Sequence, residues 1–207
     1  MLSREPCRAA QAADDGGQPP ADYVGAVRVG IADHFGWAVA VTASASCEVV
    51  DRRRLELVEP GVSEAPIHYE SWRLDVSATA ALVTAVRASI ARAAAAAFDE
   101  LAAALPAPVR SLSLRAWPPD FPNEIAVQRR TPWEARADAV MYRQELAELA
   151  RARGWEVHLY DARAVIDQAA ALLGDRAAAV LDGPRARLGP PWTRDHRVAL
   201  AAAIVAG

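Results

Sequence analysis

Gly30-Ile31-Ala32-Asp33-His34-Phe35-Gly36-Trp37-Ala38-Val39 is the stretch on which the fold turns. Leading into it, Val24 to Asp33 alternates, with Val27, Val29 and Ile31 on one face, and reads as a strand. His34-Phe35-Gly36 reads as a turn, and Trp37 to Thr42 follows as a second strand with Trp37, Val39 and Val41 sharing a face. After a small-residue turn, Glu48 to Val58 makes a third. Its Val49, Leu55 and Leu57 face one way and Arg52, Arg54 and Glu56 the other, as suits a half-solvated antiparallel strand. Pro60-Gly61 stops it, so the segment forms the first corner of a three-stranded meander.

Outward from the meander, residues 59–76 form a long connection carrying His68, Tyr69, Glu70 and Trp72; connections of that length are often functional. Ser77 to Leu105 is the clearest helix, with Leu82, Val86, Ile90, Ala94, Phe98, Leu101 and Leu105 in one stripe, Ser77 as N-cap and Pro106 and Pro108 beyond its end. Val109 to Trp117 alternates as a fourth strand. A helix over Pro132 to Arg153 follows, with Thr131 as N-cap, Pro132 at the first helical position and Gly154 as its stop. Trp155 to Tyr160 is the fifth strand, Asp161 caps the next helix, and Thr193 opens a last one through Val205. Three antiparallel strands followed by alternating helices and strands predict an α/β domain with a mixed five-stranded sheet over residues 23–207. Residues 1–22, ending in Gly16-Gly17-Gln18-Pro19-Pro20, read as a disordered leader.

Composition narrows the function classes. A net charge of −3 disfavours a protein that coats nucleic acid nonspecifically, because that binding replaces condensed counterions with a strong basic excess. All 23 basic residues are Arg, which with the high Ala content suits a GC-rich coding bias of bacterial type. The start of the chain lacks the apolar stretch of a signal peptide, and the Ala-rich segments are broken by charges, so no membrane is expected as a partner and the cytoplasm is the expected compartment. Cys7 and Cys47 form no recognisable framework, and two isolated thiols fit a reducing compartment.

Two motifs carry a resemblance. Gly30-Ile31-Ala32-Asp33 followed by Gly36-Trp37-Ala38-Val39, and Asp195-His196-Arg197-Val198-Ala199-Leu200-Ala201 near the end, resemble the RNase H-like superfamily and most nearly its Holliday-junction resolvase branch. The resemblance covers residues 26–205 as topology. It implies a single RNase H-like domain and, in that branch, a nuclease whose clustered carboxylates hold two metal ions. The chain departs from that pattern: the first-strand acid position is Ala32, with Asp33 displaced by one, the fourth-strand position is Arg115, and the second acid of the closing helix is Val198. Only Asp195 matches. A second resemblance, through Asp33 to Val39 and Asp51-Arg52-Arg53-Arg54, is to a family of uncharacterised bacterial proteins, and it carries no activity.

The polar residues offer a few constellations. Asp33-His34, His68-Tyr69-Glu70 and Asp195-His196 could converge at the strand ends, although none has local metal-ligand spacing. Arg52 and Arg54 share a strand face and could grip phosphates with Arg115, Arg129 and Arg130, or simply form a charged outer face that discourages edge pairing. Asp138, Tyr142 and Arg143 lie at helical spacing and read as a stabilising surface cluster.

Two functions are therefore expected. The first is a non-catalytic or regulatory domain on an RNase H-like scaffold, binding a protein or small ligand near the strand ends through His34, His68, Glu70, Arg52, Arg54 and Arg115. The alternative is a divergent metal-dependent nuclease on structured nucleic acid, with Asp33, Asp195 and His196 as its catalytic groups and Mg²⁺ or Mn²⁺ as its cofactor. Outside that alternative the cofactor and any metal stay open.

Overall fold

The computed structural model describes residues 25–207; the segment read as a leader lies outside them. β1 (Val27–Asp33), β2 (Trp37–Ala43) and β3 (Val49–Glu56) form the antiparallel meander. β4 (Val109–Arg115) and β5 (Glu156–Tyr160) then extend the sheet on the other side of β1, both parallel to it. The order β3-β2-β1-β4-β5 gives the expected mixed five-stranded α/β sheet. Gly36 makes the first corner with φ near 78°, a left-handed conformation that glycine adopts without a Cβ penalty.

Helices cover both faces, so β1 is buried along its whole length. On one face α1 (Val76–Ala104) and α3 (Glu134–Ala152) pack over Val29, Ile31, Leu112 and Leu114, adding Val86, Ile90, Phe98, Tyr142 and Leu146. On the other, α4 (Val165–Leu173) and α7 (Arg194–Val205) cover Ala32, Val39 and Val41 with Val165, Ala199, Leu200 and Ile204. Burial of a large apolar side chain contributes about 1.5–3 kcal/mol, so this two-sided core holds the strand ends rigidly in place. Gly30 admits α7: a Cβ there would run into the Ala199 carbonyl. Short helices α2 (Ile125–Gln128), α5 (Ala177–Leu181) and α6 (Pro184–Leu188) complete the chain.

The structure corrects several local expectations. α1 starts earlier than Ser77: Asp75 is the N-cap and accepts the Ala78 N–H at 2.7 Å. α1 is long and apolar enough, by length and composition alone, to cross a membrane. In the fold its buried stripe faces the sheet, and Arg87 and Arg92 tie it to Glu145 and Glu59. Pro132 precedes α3 in a separate turn rather than opening it. Asp138 and Tyr142 are buried, against the expected surface cluster, because each serves the 59–76 connection. Asp138 accepts the Ile67 and His68 N–H groups at 3.1 and 2.8 Å, and the Tyr142 hydroxyl donates to the Glu64 carbonyl at 2.9 Å. Cys47 is disulfide-bonded, against the reading of two isolated thiols.

Candidate anion site at the strand ends

Successive residues at the end of β1 face opposite layers, and that alternation builds the site. Ala32 packs with α7, while Asp33 turns to α3. There the Asp33 side chain, 2% exposed, accepts the Arg143 Nε–H on Oδ2 at 2.9 Å, and Arg143 Nη2 lies within ion-pair distance of the same oxygen at 2.8 Å. Next to it the Tyr160 hydroxyl, at the end of β5, donates to the Ile31 carbonyl at 2.6 Å. Burial, and then the Asp33 charge, push the Tyr160 pKa up, so this phenol stays a neutral donor.

Two adjoining hollows open beside this pair, at the carboxyl ends of the parallel strands β1, β4 and β5. The inner one, about 230 Å³, is lined by Asp33, His34, Phe35, Arg115, Ala139 and Arg143. The outer one, about 760 Å³, shares Arg115, Ala139 and Arg143 and adds Arg136, Tyr160 and Arg163. Four arginines thus line one cleft, and among the described residues Asp161 is the outer hollow's sole carboxylate. Asp33 neutralises Arg143. Arg115, Arg136 and Arg163 have no carboxylate within ion-pair distance among the described residues. Low-dielectric walls around a single sign of charge focus the field and concentrate counter-ions.

His34 leaves the strand on the α7 side. Its Nε2 lies 3.2 Å from Asp195 Oδ2, and its ring stacks on Trp37 with centroids 4.0 Å apart and planes 8° from parallel. The Arg54 guanidinium lies 4.0 Å from the same Trp37 ring and also pairs with Glu56. His196, one residue beyond Asp195, instead completes a capping box: its Nδ1 accepts the Thr193 N–H at 3.2 Å. Burial, then the nearby Arg52 charge, lower the His196 pKa against the opposing pull of Asp195.

The other residues singled out in the sequence lie apart from the cleft. Arg52 directs its guanidinium at the carbonyls of Leu188, Gly189, Pro190 and Pro191 and fastens that loop to edge strand β3. Arg129 similarly donates to the Ser71 and Leu74 carbonyls. His68 and Glu70 sit in a single π-helical turn, Pro66–Glu70. The exposed His68 ring reaches the cleft only through Phe35, 6.2 Å away between centroids. His34 and Asp195 meet, whereas Asp33 faces the opposite layer and His196 is engaged in its cap.

The resolvase-like motif implies a two-metal centre, and the residues present do not fit one. The position facing α7 is Ala32, β4 ends in Arg115, and Asp33 is held by a guanidinium. Among the described residues no group of three or more His, Cys, Asp or Glu side chains could hold a metal ion. Arg136, Arg143 and Arg163 were not read from the sequence as ligands of a cleft. The signal for two of them was there: Arg136, Ala139 and Arg143 recur at i, i+3 and i+7 on one helix face.

No family model matches the chain, and no curated protein matches it. Among solved structures, T. thermophilus RuvC in complex with a Holliday junction substrate is similar, with a TM-score of 0.45 and 13% identity over 87% of this chain and 92% of that one.

Proposed function

We propose that this chain is a ligand-binding domain on an RNase H-like scaffold, and that its ligand is a small anion bearing phosphate or carboxylate groups. The observation that carries the reading is the convergence of Arg115, Arg136, Arg143 and Arg163 on one cleft at the carboxyl ends of parallel strands. Guanidinium groups bind phosphate and carboxylate through paired N–H donors, and the crevice beyond parallel strand ends is where open α/β sheets commonly bind ligands. Arg143 is oriented in advance by Asp33, which lowers the ordering cost of binding. The domain is proposed to act in the cytoplasm.

Calorimetric titration with inorganic pyrophosphate, in chelator and at low salt, tests the reading. Saturable binding that weakens in Arg136→Gln and Arg163→Gln is expected. The nuclease alternative makes the opposite demand: Mn²⁺-dependent cleavage of a branched DNA duplex, abolished by Asp195→Asn, together with no pyrophosphate binding, would overturn it.

A further inference from the structure

His34 stands out among the described residues as an oriented imidazole. It is held by contacts that are rarely spent on a turn residue. Trp37 fixes the plane of its ring and Asp195 fixes its rotation. In the neutral ring, the tautomer that donates from Nε2 to the Asp195 carboxylate carries its lone pair on Nδ1. The His34 side chain remains 39% exposed, and it lines the inner hollow together with Arg115 and Arg143. An oriented imidazole beside guanidinium groups that hold phosphoryl oxygens is the pairing a nitrogen nucleophile needs.

We propose that His34 accepts a phosphoryl group on Nδ1 from a small phosphorylated compound bound against Arg115 and Arg143 in the inner hollow. This inference rests on the anion-binding reading above. With acetyl phosphate as donor, the Nδ1 lone pair forms the N–P bond as the bond from phosphorus to the bridging oxygen breaks, and acetate leaves with that electron pair. The positive charge gained by the ring is shared with Asp195 through Nε2–H. Hydrolysis reverses the state: water forms a new P–O bond, the N–P bond returns its pair to Nδ1, and inorganic phosphate leaves while the water proton passes to solvent. The arginines stabilise charge on the transferred group in both directions, and no metal ion takes part.

The other histidines serve as internal controls. His68 is exposed but outside the hollows, His158 pairs with Glu156, and His196 is spent in its cap. The experiment incubates the full chain with acetyl phosphate in chelator and follows acid-labile, base-stable phosphate by intact mass and peptide mapping. Label at His34, formed faster than at any other histidine, is expected. It should fall about tenfold in Asp195→Asn and about a hundredfold in Arg115→Gln, the loss typical of removing one charge-stabilising donor. No label, or label spread equally over His34, His68 and His158, overturns the inference. Pyrophosphate titration of the wild type and His34→Gln separates the two levels. Binding in both proteins without labelling of His34 ends the phosphoryl-acceptor proposal alone, while absence of binding in the wild type removes both.

Discussion

Arg143 donates its Nε–H to one oxygen of Asp33, Oδ2, with Nη2 2.8 Å from the same atom, and Oδ1 stays buried with no hydrogen-bond partner among the described residues. A carboxylate in that arrangement orients an arginine. One residue's shift along β1 moves the acid from the α7 layer to the α3 layer.

Removing one partner of this pair is more damaging than removing both. Arg143→Met leaves a buried uncompensated charge and is expected to cost about 3–5 kcal/mol, while Asp33→Val with Arg143→Met returns close to wild-type stability. Urea unfolding of the two single variants and the double variant checks this. Additive losses would mean that the two side chains are not coupled.

Gly30→Ala tests the contact between β1 and α7. The new methyl group meets the Ala199 backbone carbonyl, and backbone cannot swing aside as a side chain can. A loss of at least about 1–3 kcal/mol is expected from overpacking, read as a lower thermal midpoint. An unchanged midpoint would show that α7 can lift from the strand.

Asp138 gives the fold a pH dependence of its own. Burial raises its carboxyl pKa from 3.8 to about 6, with the Ile67 and His68 N–H groups opposing the rise. Between those two values the folded chain holds this proton more tightly than the unfolded chain, so stability is greatest below 3.8 and falls as pH climbs through about 6. The loss from this group is at most about 3 kcal/mol. Asp138→Asn should flatten that slope, measured as unfolding free energy against pH. It should also loosen residues 66–70, because its amide cannot accept both N–H groups.

Most of the fold could be read from the sequence because alternation and helical stripes report which faces are buried. β1 and β2, the stripe of α1 and the Thr193 cap of α7 all sit where their patterns put them. Position 138 was misread because a carboxylate on a helix looks solvated unless the chain packed above it is known. The cleft was half legible. Arg115 stood out as a basic residue where an acid was expected, but Arg163 follows a different strand, and only the parallel pairing of β4 and β5 brings it beside Arg136. Arg52 misled for a related reason: four carbonyl groups 136 to 139 residues away claim its guanidinium.

The most direct test of the central claim is the pyrophosphate titration repeated with Arg115→Gln/Arg136→Gln, at two salt concentrations. The anion site predicts saturable binding to the wild type, weakened by added salt and reduced at least tenfold in the double variant while its thermal midpoint without ligand stays near the wild-type value. Binding of equal strength in both proteins would contradict it.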